Sequence, residues 1–481
     1  MFIGREKELS SLETLYANKK FQCAVIYGRR RVGKTTLINR FIEDKNVIFY
    51  MAMEGTAEEN LRGLSKALLQ QQINPGQKSG DQLIIYPEVN NLPSYSDYES
   101  LLLSIDQICM RKETEERLVL VIDEYPYLAV SYPAISSLLQ KHIDQCWKNS
   151  SLFLILCGSS MSFMEQQVLG YKSPLYGRRT AQYKIQPFDF FEAREMLKSF
   201  SYEEQAILYG VTGGIPEYLS RIQQEKSLDE NIIQLFFDPS GRLYEEPENL
   251  LKQELKNPAT YHSIIQAIAS GASRMNEIAT KTGLESSGCS AQIRSLISLG
   301  LVRKETPITE KESSRKTIYR LEDSMFLFWY RFVRPNQSAV SRGLGEFIYQ
   351  NHVRNQISDY MGQVYEDICR QYIYKPAIYV GLPIMISDLG RWWGNNPQKK
   401  CQEEIDLMAV VDRQAIFCEC KWRNEQVSSD VIRTLEERSE LFSFTEKWLY
   451  VFSKSGFTAD AYEYIRGKER IVLIAFEEML V

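Results

Sequence analysis

The sequence predicts a multidomain α/β protein. A helix-wrapped parallel sheet comes first, then a helical segment, three short helices with a two-stranded hairpin, and a second α/β domain. Three observations carry this expectation. Apolar runs of strand type alternate with helical patterns through the first 190 residues. A glycine-rich loop, Gly28–Thr35, stands between one such run and a helical pattern. Near the C-terminus, EIDLMAVVDRQAIFCECKW (Glu404–Trp422) reads as two strands joined by a tight polar turn.

With 481 residues, 44% of them hydrophobic, the chain suffices for about three domains with real cores. Its net charge of −5 argues against a generally basic, nucleic-acid-coating protein and leaves room for a local basic patch. The opening MFIGREKELSSL lacks an apolar signal-peptide core, and no apolar run approaches the roughly 18 residues of a membrane span. The nine cysteines include no CxxC pair, and Cys23 and Cys157 lie inside apolar runs. Reduced thiols and a cytoplasmic location are therefore expected, with no membrane partner. Asn74–Ser100 reads as an inserted loop and Arg334–Gly345 as an interdomain linker.

The first domain is expected over residues 1–190. Gln22–Tyr27 is strand-like, and Gly28, Arg29, Arg30, Arg31, Val32, Gly33, Lys34 and Thr35 match GxxxxGK(S/T) at every position. Leu37, Ile38, Phe41 and Ile42 follow at helical spacing, so the context is strand, loop, helix. Glycines let backbone N–H groups close on phosphates, and the helix N-terminus adds partial positive charge. These residues and Thr36 form the expected ATP-binding loop, with Lys34 on the β and γ phosphates and Thr35 on Mg²⁺. Leu118–Tyr125 (LVLVIDEY) supplies a buried strand ending in Asp123, a second Mg²⁺ ligand, and Glu124, suited to polarise the attacking water. Leu152–Ser160 is a further buried strand whose Ser159 or Ser160 is placed to sense the γ-phosphate. Val47–Met51 and Ala181–Gln186 bring the expected parallel strands to about five.

FIGREKEL (Phe2–Leu9), the phosphate loop, IDE, CGSS and GGIPEYL (Gly213–Leu219) resemble the signal-transduction (STAND) branch of AAA+-related P-loop NTPases. More narrowly, they resemble archaeal-type ATPases that carry a C-terminal domain of unknown function. The resemblance implies that Gly4 and Arg5 lie near the adenine and that Pro216 begins a helical lid over residues 191–257. It also sets Arg178 and Arg179 where such ATPases often keep a γ-phosphate-sensing arginine. Whether either acts in its own subunit or in a neighbour stays open, which leaves a homo-oligomer open too. A solvated basic turn is the plain alternative for that pair.

Over 258–333, Tyr261–Ile268, Met275–Thr280 and Ser286–Leu299 are short helical patterns, and Leu301–Leu321 holds two strand-like runs around a charged loop. Three helices and a two-stranded wing describe a winged helix-turn-helix. Between Gly271 and Arg320 there are nine Lys/Arg and five Glu, a balance of +4, as phosphate contacts require. Ser287, Ser290, Arg294 and Ser298 would face a DNA groove. A winged helix that only packs domains together is weighed equally.

The last domain is expected over 334–481. With a turn at Asp412-Arg413, Asp406 falls opposite Glu419 and Glu404 opposite Lys421, all on one face. Like charges across a ribbon repel unless a divalent cation lies between them or one takes a proton. Helical QVYEDICRQY (Gln363–Tyr372) carries Glu366. A helix with an acid, a strand with Asp and a strand with Glu-x-Lys resemble the PD-(D/E)XK nuclease superfamily, a restriction-endonuclease-like fold. That resemblance implies metal ligands Glu366, Asp406 and Glu419 and a catalytic Lys421 that orients water or steadies phosphate charge. In this sequence Ile405-Asp406 replaces the family's Pro-Asp. An ordinary Glu404–Lys421 salt bridge is the alternative. The expected function is an ATP-hydrolysing switch coupled to nucleic-acid binding and Mg²⁺-dependent cleavage; the alternative is a regulatory STAND-type switch whose C-terminal domain binds partners and cuts nothing.

Overall fold

The computed structural model describes residues 2–73, 93–110 and 117–480. They divide into two compact units, Met1–Pro187 and Phe188–Val481.

The first unit is built on five parallel strands, β1 (Gln22–Tyr27), β2 (Asn46–Met51), β3 (Leu118–Asp123), β4 (Phe153–Gly158) and β5 (Ala181–Lys184), in the order β2-β3-β4-β1-β5. All residues of β1, β3 and β4 are buried, as continuous Val/Ile/Leu runs covered by helices on both faces must be. β1 lies between β4 and β5 while its chain successor β2 lies at the far edge, so the loop after β1 opens at a point where the winding changes direction. The expected loop Asn74–Ser100 falls largely outside the described residues. Its end is corrected, because Tyr98–Met110 is helical, with Tyr98, Leu101, Leu102 and Ile105 buried.

The second unit opens with the short helical turns Phe190–Ala193 and Arg194–Met196, followed by helices Tyr202–Thr212, Pro216–Leu219, Leu228–Phe236 and Glu246–Glu254. Gly213 and Gly214 join helix Tyr202–Thr212 to Pro216–Leu219 with φ of 65° and 66°, and a Cβ on Gly214 would stand 2.2 Å from the Phe188 carbonyl oxygen, so only glycine fits there. Pro216 occupies the first helical turn, where its missing N–H costs nothing. Helices Pro258–Ala269, Met275–Thr282 and Ser286–Ser298 follow, then the antiparallel pair β6 (Val302–Glu305) and β7 (Ile318–Leu321), the expected three helices and hairpin.

The expected linker Arg334–Gly345 is helical instead. Trp329, Tyr330, Phe332, Val333 and Val340 are buried around it, and this apolar anchoring outweighs its breaker residues. Pro335 sits in a first turn, and Gly343 absorbs the kink at φ 83°.

The C-terminal part is a mixed sheet of β8 (Gly390–Asn396), β9 (Cys401–Val411), β10 (Gln414–Lys421), β11 (Glu446–Ser453) and β12 (Ile471–Ala475), in the order β12-β11-β10-β9-β8. β8, β9 and β10 pair antiparallel, and β10, β11 and β12 parallel. Helix Ser429–Ser439 covers one face through Ile432 and Leu435, which share a core with Phe417 and Val451. Helix Ile357–Ile373 packs against β9 and β10.

Candidate functional site

The buried run of β1 delivers the chain into a loop that favours glycine at two points, by close approach at one and by left-handed backbone at the other. A Cβ on Gly28 would meet the Ile185 carbonyl oxygen at 2.3 Å, and Gly33 takes φ 89° immediately before helix Lys34–Ile42. Leu37, Ile38, Phe41 and Ile42 bury that helix on the sheet, which holds its N-terminus over the loop. Thr36 is exposed on its first turn. Lys34 Nζ donates to the carbonyls of Gly28 (3.0 Å) and Arg29 (2.8 Å), curling over the cradle. Val32 is fully buried and its carbonyl accepts from Arg5 Nη2 at 3.2 Å; the same Nη2 donates to the Gln186 carbonyl. Arg5 therefore ties the loop to the end of β5, and Gly4 beside it has φ 65°. Arg31 adopts φ 73°, and Arg30 donates to Tyr127 Oη at 2.8 Å.

Thr35 Oγ1 donates to Asp123 Oδ2 at 3.0 Å across 88 residues of chain. Asp123 is 1% exposed, and its Oδ1 accepts the Glu124 N–H at 2.9 Å. A hydroxyl and a carboxylate side by side beneath a phosphate cradle are hard oxygen donors that fit Mg²⁺. Glu124 has φ 49°, and its Oε2 accepts from both the N–H (3.2 Å) and the hydroxyl (2.9 Å) of Ser159. Arg178 is engaged on Asp144, with contacts of 2.6 and 3.1 Å. Arg179 donates to the Leu169 carbonyl at 3.0 Å and lies over the Tyr176 ring. Pro216 belongs to the second unit.

In the C-terminal sheet, the hairpin register is the expected one from Gln414↔Val411 to Cys418↔Leu407. There the strands part. Asp406 Oδ2 accepts the Cys420 backbone N–H at 2.8 Å, so a side chain takes a donor the ladder would otherwise use. Beyond Leu407, β9 stays paired on its other edge with β8 alone, with Trp393 opposite Glu404. This overturns the expected Glu404–Lys421 pair: Glu404 bonds Arg391, and Lys421 bonds Glu419.

Asp406 and Glu419 still feel one another. Burial raises the carboxyl pKa of both, and Asp406 adds a further rise to Glu419. Burial, with Asp406 adding to it, pushes Glu366 up to about 8. Lys421 is held more firmly protonated: burial works against its charge, but Glu419 and Asp406 outweigh it. Arg438, from helix Ser429–Ser439, reaches Glu419 Oε2 at 3.1 Å and Glu403 at 2.9 Å. Arg320 Nη1 and Arg391 Nε each stand 3.5 Å from Glu366 Oε2, an oxygen buried without a hydrogen bond.

Among the described residues, no three or more His, Cys, Asp or Glu are arranged to hold a metal ion. The expected closed trio of Glu366, Asp406 and Glu419 is corrected to neighbouring carboxylates shared among four cationic side chains. The carboxylate oxygens are hard donors of the kind Mg²⁺ takes, and Glu366 Oε2 is buried without a hydrogen bond, but Lys421, Arg438, Arg320 and Arg391 already stand against Glu419 and Glu366. The sequence reading missed Arg438, Arg391 and Arg320. No spacing pattern marks them, because packing alone brings their elements to the acids. Arg303 and Arg320, counted in the basic patch, are turned inward onto Asp367 and Glu366. Ser287 and Arg294 are exposed, whereas Ser290 and Ser298 are half-buried.

A family described as an ATPase domain predominantly from Archaea matches residues 2–222. A family of archaeal and bacterial proteins of unknown function matches 329–434, and one described as a restriction endonuclease matches 394–480. The uncharacterized protein MJECL04 of Methanocaldococcus jannaschii is 31% identical over 462 residues, covering 94% of this chain and 96% of that protein. The chain belongs to this family of archaeal-type ATPases. The uncharacterized ATP-binding protein MJ1659 of the same organism is 26% identical over 269 residues, 48% of this ATPase and 73% of that protein. The solved structure of a Walker-type ATPase of Pyrococcus abyssi is similar in fold, with a TM-score of 0.50 at 19% identity over 69% of this ATPase and 96% of that chain. No described helix is long and apolar enough to cross a membrane.

Proposed function

We propose that this ATPase is a nucleotide-driven switch acting on nucleic acid through a Mg²⁺-dependent nuclease-like site in its C-terminal sheet. What supports the reading is that Asp406 raises the proton affinity of both Glu366 and Glu419 on top of their burial, and that Lys421 bonds Glu419. In the first unit, Lys34 binds the β and γ phosphates, Thr35 and Asp123 hold Mg²⁺, and Glu124 orients water once its carboxylate leaves Ser159. Bound by Thr35 and Asp123, Mg²⁺ would supply charge that offsets the charge developing on the transferred phosphate. Arg29, Arg30, Arg31, Val32 and Thr36 complete the cradle, Gly4 and Arg5 border the base, Pro216 opens the lid, and Arg178 or Arg179 senses the γ-phosphate.

The division 1–190, 191–257, 258–333 and 334–481 assigns these roles to an ATPase domain, lid, winged helix and nuclease-like domain. At the C-terminal site the three carboxylates would hold the cation and Lys421 would act on water and phosphate. DNA is the proposed partner, the cytoplasm the proposed location, and self-association follows if an arginine acts across subunits.

Metal binding tests the C-terminal assignment. Mg²⁺ or Mn²⁺ at a hundredfold excess over Kd should stabilise the second unit by about 2.7 kcal/mol, and Asp406→Asn should remove the gain. Lys421→Ala should keep the gain and lose cleavage. A melting temperature indifferent to both ions would support the second reading, a binding module that cuts nothing. Engagement of Glu419 by Lys421 and Arg438 favours that reading.

A further inference from the structure

Arg29, Arg30 and Arg31 occupy the middle of the phosphate loop, where GxxxxGK(S/T) demands no particular side chain. The structure gives Arg30 a definite direction. Its Nη2 donates to Tyr127 Oη at 2.8 Å across 97 residues of chain. Tyr127 lies in the first turn of helix Tyr125–Ser131, and its N–H donates to the Glu124 carbonyl at 3.0 Å. The guanidinium is therefore held on the helix that follows directly from Asp123 and Glu124.

The backbone end of Arg30 is placed as well. Lys34 Nζ donates to the carbonyls of Gly28 and Arg29, so its ammonium lies against the backbone immediately before Arg30. Arg31, at φ 73°, turns the chain immediately after it. Arg30 thus runs from the backbone under the ammonium of the β and γ phosphates to the helix of the carboxylate that orients water. Arg178 and Arg179 are engaged elsewhere, on Asp144 and on the Leu169 carbonyl.

We propose that Arg30 is a catalytic arginine acting in cis: its guanidinium stabilises the charge that develops on the transferred γ-phosphoryl group, and Tyr127 positions it. The inference rests on the nucleotide-site reading above. In hydrolysis the water oxygen bonds to the γ-phosphorus, and the bond from that phosphorus to the β–γ bridging oxygen breaks. ADP leaves with the electron pair of the broken bond, and one water proton passes to Glu124 and on to solvent. A planar guanidinium can meet phosphoryl oxygens with two parallel N–H bonds, a geometry the single ammonium of Lys34 lacks. Whichever of Arg178 and Arg179 senses the γ-phosphate, the charge supplied from within the loop is that of Arg30.

Steady-state hydrolysis and equilibrium binding by the full chain test it. Arg30→Ala should lower kcat on the order of 10³-fold with little change in KM for ATP. Its affinity for Mg²⁺·ADP should stay near the parent's, which also shows that the variant folds. Its affinity for Mg²⁺·ADP·fluoroaluminate, a mimic of the phosphoryl group in transfer, should fall by a factor close to the loss in kcat. Arg30→Lys should recover part of both. Tyr127→Phe should lower kcat less, and its loss should not add to that of Arg30→Ala. An equimolar mixture of Arg30→Ala and Glu124→Gln chains should stay as slow as its components. Hydrolysis by Arg30→Ala at the parent rate overturns the proposal. So does an equal loss of ADP and fluoroaluminate binding, which makes Arg30 a ground-state contact. Activity regained in the mixture overturns action in cis, and a fully additive Tyr127→Phe loss overturns the positioning role. Mg²⁺·ADP binding that survives Lys34→Ala overturns the nucleotide-site reading itself.

Discussion

Asp406 Oδ2 accepts the Cys420 backbone N–H at 2.8 Å, at the point where β9 leaves β10. One carboxylate thus ends a ladder and adds to the raised proton affinity of Glu419. The two roles are separable. Asp406→Asn keeps an oxygen acceptor for Cys420 and loses the charge, so thermal stability should change little while divalent binding disappears. Asp406→Ala leaves a buried N–H without a partner and should cost about 1–3 kcal/mol in denaturant melts. Equal destabilisation by both variants would mean that the charge, not the hydrogen bond, supports the fold.

Glu124 is fastened by Ser159, through a backbone and a hydroxyl donor. Glu124→Gln should bind ATP normally and hydrolyse it on the order of 10²-fold or more slowly, as loss of a general base implies. Lys34→Ala should abolish binding measured with a fluorescent ATP analogue. Undiminished hydrolysis by Glu124→Gln would remove that residue from the chemistry.

Glu366 carries a pH signature. Burial, with Asp406 adding to it, raises its folded pKa to about 8, above the ordinary carboxylate range of the unfolded chain. Across that window the folded protein holds a proton that the unfolded chain has released, so the stability contributed by this group is full at low pH and is lost as pH rises toward 8. Denaturant melts at pH 5, 6.5 and 8 should show this decline, and Glu366→Gln should flatten it. Divalent cations should bind more tightly at pH 8.5 than at 6.5, because binding displaces the proton. A slope unchanged by Glu366→Gln would assign it to another group.

Nucleic-acid binding by the three-helix and hairpin segment should depend on side chains that remain outward. Arg294 is exposed on helix Ser286–Ser298, and Lys316 is exposed on the hairpin loop, paired with Glu310 at 2.7 Å. Charge reversal at both should weaken duplex DNA binding and lower the salt slope by roughly one unit per lost phosphate contact. Arg303→Gln should leave that slope alone, since its guanidinium is engaged on Asp367. Salt-independent binding, or none, would assign the segment to domain packing.

What the sequence determined by itself is local. The phosphate loop was legible because GxxxxGKT, an apolar strand before it and a 3.6-residue period after it act within 20 residues. The hairpin register through Leu407↔Cys418 follows from a turn and a two-residue period. The parallel strands were legible too, since burial on both faces forces continuous apolar runs.

Only tertiary structure decided the partners of the charges. Arg438 meets Glu419, Arg391 takes Glu404, and Arg320 stands at Glu366, because separate helices and strands pack those side chains together. The expected linker became helix for the same reason: buried aromatic contacts outweigh the local preference of Pro335 and Gly343. Backbone propensity and periodicity act over a few residues and are written in order along the chain. Charge pairing acts through space, and its range in sequence is set by the fold.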